Sequence, residues 1–70
     1  MTWDELLSAI SWHAFEHRQL DAAAKAAIKC GRRCREDSET ALATQSAYLL
    51  AGPEEALRQL QACLVGYTDS

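Results

Sequence analysis

The chain has 70 residues, of which 49% are hydrophobic and 24% are charged, and its formal net charge at pH 7 is −3. This composition predicts one folded domain, and the acidic balance disfavours nonspecific binding to nucleic acid or anionic lipid, which depends on excess lysine and arginine. Three cysteines, an N-terminus without a basic leader and apolar runs shorter than the roughly 18 residues of a membrane span together predict a cytoplasmic protein.

The first half of the chain contains two apolar stripes with helical spacing. Thr2 and Glu5 form a capping box that starts a predicted helix over residues 3–16. The next stripe predicts a second helix, which Gly31 ends in a left-handed cap. No glycine or proline separates the two stripes, so one continuous helix is the alternative. The stripes consist of Leu6, Leu7, Ile10 and Ala14, and then of Leu20, Ala23, Ala24, Ala27 and Ile28.

The second half predicts two further helices. Asp37 or Ser38 caps a third helix that runs to about Ala51, and Gly52 and Pro53 end it and open the fourth. The buried stripe of the fourth helix is Ala56, Leu57, Leu60, Cys63, Leu64 and Tyr67. The predicted fold is therefore all-α, with four helices in two antiparallel hairpins, 3–35 and 38–67, within a single domain 1–70 and a frayed tail after residue 67.

The two predicted hairpins are related by an offset of 34 residues, which pairs Glu5 with Glu39 and Phe15 with Leu49. A helix–turn–helix unit with a period near 34 is the signature of tetratricopeptide repeats. The chain resembles that family over nearly its whole length, and the best local match covers residues 47–57, which are similar to the turn inside such a repeat. Gln45 stands where the family has a small residue, so the resemblance implies two incomplete repeats.

Both hairpins have an apolar face beyond the one that folding needs. On a soluble chain of this size, a second apolar face usually meets a partner. The resemblance to stacked repeats implies that the first and third helices line a groove, and such a groove suits an amphipathic helix. The predicted partner-binding residues are Trp12, Phe15, Leu42, Leu49, Leu50 and Trp3.

The same side chains have a structural interpretation. In a three- or four-helix bundle Trp12, Phe15 and the leucines would be core residues, as apolar residues usually are. Trp3 would either staple the first helix to the domain or extend the binding surface. These alternatives predict opposite exposures for the same side chains.

Histidine and cysteine pairs suggest one chemical site. His13 and His17 are four residues apart, as are Cys30 and Cys34, so two antiparallel helices could offer zinc a tetrahedral set of ligands. Structural zinc sites more often hold their cysteines at a tight turn, and free cysteine is commonly buried. We therefore predict neither a metal site nor a cofactor, and keep zinc as the alternative.

A run of basic residues surrounds Cys34. With Glu36 and Asp37 following directly, it predicts a solvated helix end rather than a nucleic-acid patch. Cys34 would gain some thiolate character from these cations if it were exposed. The basic residues are Arg32, Arg33 and Arg35.

No catalytic motif is present: the sequence has neither a phosphate-binding glycine loop nor a nucleophile elbow. A helical chain this short also rarely encloses the roughly 300 Å³ at which small-molecule sites begin. We therefore predict a protein that is not an enzyme, but a protein-interaction module or chaperone that binds an amphipathic helix of a partner. Among small acidic proteins with such repeats, the chain resembles the chaperones of bacterial type III secretion. That resemblance implies a co-chaperone that holds a needle subunit together with a second small chaperone.

Two alternatives to this function use other surfaces. A homodimeric regulator would bury the second apolar faces against their symmetry mates. A phage-type inhibitor would instead present its acidic surface to a basic site on another macromolecule. The acidic residues in question are Glu36, Asp37, Glu39, Glu54 and Glu55.

Overall fold

The computed structural model describes residues 2–68, and side chains for residues 2–64. Within this part the chain forms four α-helices and no strand, which confirms the all-α four-helix prediction. No helix in the described part is both long enough and apolar enough to cross a membrane. The helices are α1 (Trp3–Glu16), α2 (Ala22–Arg33), α3 (Glu39–Ala51) and α4 (Pro53–Thr68).

Side-chain caps explain where the first three helices begin. A side-chain oxygen just before each helix accepts a hydrogen bond from a backbone N–H in the first turn, which otherwise has no partner. The predicted caps at Thr2 and Ser38 are confirmed, whereas sequence reasoning missed the cap at Asp21. The three bonds run from Glu5 N–H to Thr2 (3.2 Å), from Ala24 N–H to Asp21 (2.8 Å) and from Ala41 N–H to Ser38 (3.2 Å).

The chain breaks cleanly between α1 and α2. Arg18 has a φ of 56°, in the left-handed region. The Arg18 N–H donates to the Phe15 carbonyl (3.2 Å) and the Gln19 N–H to the Ala14 carbonyl (2.7 Å), which together make a Schellman motif. The continuous-helix alternative is therefore wrong, although the residue that turns the chain is an arginine rather than a glycine.

Gly31 lies inside α2, so its predicted role as a left-handed cap is wrong. The residue is buried where three helices approach one another closely. A Cβ atom built on Gly31 would lie 3.0 Å from Leu7 Cδ2, 3.2 Å from Leu60 Cδ2 and 3.7 Å from Trp3 Cζ2. The absent side chain is what allows α1 and α4 to pack this tightly against α2.

Helix α4 is the centre of the packing, because it packs against α1, α2 and α3, and α1 also packs against α2. By contrast, α3 touches α1 and α2 only marginally. In stacked repeats the first helices of adjacent units form one wall, and this packing does not show that arrangement. The buried apolar residues are Trp3, Leu6, Leu7, Ile10, Ala14, Ala24, Ala27, Ile28, Ala41, Ala56, Leu57 and Leu60.

The predicted stripe of α2 is confirmed at Ala24, Ala27 and Ile28, which are buried, and is wrong at Ala23, which is exposed. Leu20, also assigned to it, precedes the helix and is half-buried.

The predicted turn between α3 and α4 is confirmed. Gly52 ends α3 with a φ of 90°, and Pro53 is the first residue of α4. The side chain of Tyr67, which the sequence assigns to the buried stripe of α4, lies outside the described side chains.

Candidate functional site

The described residues expose five large apolar side chains, on α1 and α3. All five belong to the predicted partner-binding set, and each exposes more than half of its surface. Their exposure is what the second apolar faces predict, whereas their role in binding stays a prediction. The exposed fractions are 62% for Trp12, 62% for Phe15, 52% for Leu42, 83% for Leu49 and 87% for Leu50.

Trp12 and Phe15, called the aromatic pair below, form the more ordered part of this surface. Their rings stack with centroids 5.8 Å apart and planes 25° apart. They follow each other at a spacing of three on α1, while Ile10 and Ala14 on the opposite side of the helix are buried in the core. Stacking holds the two rings together, so the pair presents a preformed apolar platform.

Leu42, Leu49 and Leu50, called the outer leucines below, lie on α3 away from its buried side. That side buries Ala41 and Thr44, and the Thr44 hydroxyl donates to the Thr40 carbonyl at 2.8 Å. Because α3 packs almost only against α4, its opposite side is left to solvent. The outer leucines are therefore exposed on α3, the helix that contributes the fewest residues to the apolar core.

Trp3 does not belong to the exposed surface. Its side chain is only 5% exposed, and its indole N–H donates to the Gly31 carbonyl at 2.9 Å. The same carbonyl accepts a second hydrogen bond, from the Cys34 N–H at 3.1 Å. Of the two roles considered for Trp3, the structure shows the staple between α1 and the end of α2, and we remove Trp3 from the candidate site.

The aromatic pair and the outer leucines lie on helices that meet only marginally. The shared groove implied by the repeat resemblance is therefore not shown by the packing of α1 and α3. The clefts found among the described residues are not lined by the aromatic pair. One of them is lined by Leu42, together with Arg35 and Glu36. Each apolar surface is accordingly treated as a separate contact area.

The three cysteines line one cleft of about 560 Å³ between α2 and α4. Sequence reasoning paired Cys30 with Cys34 but missed Cys63, which is distant in the chain and reaches the same cleft from α4. Leu60 and Arg33 are among the other lining residues. The cleft is larger than we expected for so short a chain, and the packing of α4 on α2 creates it.

The environment of Cys34 raises the pKa of its thiol, which favours the protonated form. Burial raises its pKa above the ordinary thiol range, and the neighbouring thiols of Cys30 and Cys63 raise it further. Its Sγ atom also donates to the Cys30 carbonyl at 3.4 Å. The condition under which the sequence predicts thiolate character, exposure of Cys34, is not met, because the residue is half-buried. Of the nearby arginines, Arg35 pairs with Asp37 at 3.4 Å on the surface.

The histidine pair and the cysteine pair do not converge on one metal site. The rings of His13 and His17 lie next to each other on α1, with centroids 4.2 Å apart. Among the described residues, no group of three or more histidine, cysteine or acidic side chains is placed to hold a metal ion. The two-histidine, two-cysteine zinc site is thus not formed by the part of the chain that the structure describes.

Comparison of the chain with protein-family models, with curated proteins and with solved structures gave no match. The resemblances to tetratricopeptide repeats and to type III secretion chaperones therefore stay predictions. The exposed apolar side chains of α1 and α3 are the feature that bears on function.

Proposed function

We propose that the chain is a non-enzymatic interaction module of the cytoplasm that binds the apolar side of an amphipathic helix from another protein. The observation that carries this proposal is the aromatic pair, two stacked rings that are each 62% exposed beside a complete core. Keeping large apolar surfaces in water is unfavourable by about 25 cal/mol for each Å². A partner that covers them removes this cost.

The type and order of the side chains favour a protein partner. Tryptophan is enriched among the residues that dominate binding energy at protein interfaces. Because the two rings already stack, little conformational freedom is lost when a partner covers them. The aromatic pair is thus suited to act as the anchor of an interface.

A helix is the partner segment that fits the spacing best. Trp12 and Phe15 are three residues apart, and Leu42 and Leu49 are seven residues apart, so each set follows one stripe of its own helix. A partner helix with apolar residues at three-and-four spacing can interdigitate with such stripes. We therefore assign the aromatic pair as the main contact and the outer leucines as a second one.

The resemblances to tetratricopeptide repeats and to type III secretion chaperones make this proposal more specific. A tetratricopeptide-like arrangement would bring the two apolar surfaces to one partner, and a type III secretion co-chaperone would hold a needle-subunit helix together with a second small chaperone. Both predict that the chain is poorly soluble or self-associated alone and monodisperse with its partner.

Affinity purification of the tagged full chain from its own cells tests the proposal. The informative variant is Trp12→Ala with Phe15→Ala, and the matched control is Lys25→Ala with Lys29→Ala on the exposed side of α2. We expect a protein that co-purifies with the native chain and the control to be reduced at least about tenfold with the aromatic variant, the usual size of a hot-spot loss. Equal recovery with all three chains would refute the proposal.

The two alternatives give different results. Light scattering over a concentration series detects a homodimer as twice the monomer mass in a sample that contains only this chain. Acidic mimicry instead predicts that reversal of surface charges, not loss of the rings, abolishes co-purification. The charges to reverse are Glu36, Asp37, Glu39, Glu54 and Glu55.

A further inference from the structure

The formal charges on the helix that carries the aromatic pair have one sign, and the nearest cation along the chain, Arg18, follows the end of α1. Helix α1 contains no lysine or arginine, and its carboxylates are those of Asp4, Glu5 and Glu16, all exposed. At about 100° per residue, Glu5 and Glu16 lie within about 20° and 40° of Trp12 around the helix axis. The two glutamates therefore share the exposed stripe of the aromatic pair, one towards each end of the helix.

These two glutamates have no ion-pair partner among the described residues. The ion pairs found there join Arg35 to Asp37 and Arg58 to both Glu54 and Glu55, all away from α1. Glu5 and Glu16 thus remain free to interact with charges on another molecule.

We propose that Glu5, the aromatic pair and Glu16 form one docking surface, and that it selects a basic amphipathic helix of another protein. The inference rests on the proposed function and adds the charge of the partner. Apolar side chains of the partner helix cover Trp12 and Phe15, while its lysines or arginines pair with the two carboxylates. A cation next to Trp12 also interacts favourably with the face of the indole.

The spacing defines the pattern expected in the partner. Glu5 and Glu16 are eleven residues apart on α1, which is about 16 Å along the helix axis. A partner helix lying along α1 would therefore place basic side chains about three turns apart, with apolar residues between them. A second copy of this chain fits less well, because its most basic helix, α2, buries its one large apolar side chain, Ile28, in its own core, so its lysines and arginines flank no exposed large apolar residue.

Two synthetic peptides test this inference with the full chain. Both are amphipathic leucine-rich helices about 18 residues long, or five turns; one has lysine and the other glutamate at the flanking positions. Binding is measured by the fluorescence of Trp12, since the buried Trp3 provides a constant background. We expect the lysine peptide to bind at least about tenfold more tightly than the glutamate peptide, and more weakly as the screening length falls from about 10 Å at 0.1 M salt to about 3 Å at 1 M.

Matched charge variants show whether Glu5 and Glu16 cause the preference for the lysine peptide. Glu5→Gln with Glu16→Gln should weaken binding of the lysine peptide by about twofold to thirtyfold, the range of two exposed charge pairs. The control, Glu36→Gln with Glu39→Gln, changes the net charge equally and also includes a first-turn glutamate, at the start of α3. It should leave the affinity unchanged, because these residues lie on other elements.

Several outcomes overturn the inference. An equal effect of the control would assign the preference to net charge instead of to this surface, and the absence of lysine-peptide binding would show that the surface does not select basic helices. If both peptides bind equally and Phe15→Ala, which keeps the Trp12 reporter, weakens both, the charge preference is wrong while the proposed function stands. Self-association that depends on Glu5 and Glu16, seen by light scattering without peptide, would make a second copy the occupant.

Discussion

The two tryptophans of α1 are nine residues apart on one helix and have opposite environments. Trp3 is 5% exposed and donates its indole N–H to the Gly31 carbonyl, whereas Trp12 is 62% exposed and stacks only with Phe15. A buried indole normally has a hydrogen-bond partner, and Trp3 finds one at the end of α2. Trp3 thus fixes the N-terminal end of α1 to the core, whereas the opposite face of the helix, which carries Trp12, presents an apolar surface to solvent.

Burial along α1 follows the face of the helix and not the residue type, since Trp3 and Trp12 lie about 180° apart around the helix axis. The environment depends on what lies across from each ring. Gly31, without a side chain, leaves room for Trp3 together with Leu7 and Leu60. The Trp12 side of α1 has no helix packed over it among the described residues. We therefore expect substitution of Trp3 to lower stability and substitution of Trp12 to weaken binding, although both residues lie on one helix.

Stability measurements on the two tryptophan variants give the largest expected effect. Trp3→Ala should lower the free energy of unfolding by about 3–5 kcal/mol, as truncation of a buried aromatic residue does. Trp12→Ala should change it by no more than about 0.5 kcal/mol, because the ring is mostly in water. Urea unfolding followed by circular dichroism measures both.

A less severe change covers the case in which Trp3→Ala does not fold. Trp3→Phe keeps most of the ring and removes the indole N–H, so we expect it to cost about 1–2 kcal/mol. Equal losses for the Trp3 and Trp12 variants would mean that both rings stabilise the fold, and would contradict the difference between the two faces of α1.

Substitution of Gly31 probes the fixed end from the opposite side. Gly31→Ala places a methyl group 3.0 Å from Leu7 Cδ2 and 3.2 Å from Leu60 Cδ2. Overpacking costs about 1–3 kcal/mol, and the higher helix propensity of alanine returns about 1 kcal/mol. We expect a net destabilisation of about 1 kcal/mol, measured by urea unfolding.

A double-mutant cycle isolates the steric cause of this effect. In a Leu7→Val background the nearest methyl group is withdrawn, so Gly31→Ala should cost less. Gly52→Ala is the control, because Gly52 has a φ of 90° and its added Cβ would meet nothing within 4 Å. Its cost comes from backbone strain and should be the same in both backgrounds. An identical cost of Gly31→Ala with and without Leu7→Val would contradict the close packing.

Local signals in the sequence predicted much of the fold. The caps at Thr2 and Ser38 and the turn at Gly52 and Pro53 act over three or four residues, so their pattern can be read directly. The exposed apolar side chains were also predictable. They are the residues left over once each helix has one stripe facing the core.

Other features depend on contacts between distant segments. The left-handed Arg18 is a case where a Schellman motif forms without glycine or asparagine, the residues that usually mark it. A glycine often marks a helix end, which is why the sequence predicts one at Gly31. The side chains that explain this glycine inside α2, Leu7 and Leu60, are more than twenty residues away in the chain. The arrival of Cys63 beside Cys30 likewise follows from the way α4 packs, which no pattern within one helix encodes.

The smallest expected effect concerns Cys34, whose N–H shares the Gly31 carbonyl with Trp3 at the fixed end of α1. Burial, and then the thiols of Cys30 and Cys63, raise the pKa of Cys34. The folded state therefore favours the neutral thiol, a preference that is fully present below the pKa of the unfolded thiol, near 8.5, and is lost as the pH rises through the folded value.

Alkylation of Cys34 by iodoacetamide, followed by peptide mass spectrometry, checks this shift. At neutral pH Cys34 should react more slowly than the same cysteine in the urea-unfolded chain, because the thiolate is the reactive form. Cys30→Ser removes one of the causes, so it should move the pH profile of Cys34 to lower pH, whereas burial keeps part of the shift in place. A profile equal to that of the unfolded chain would show that the cleft does not shield this thiol from water.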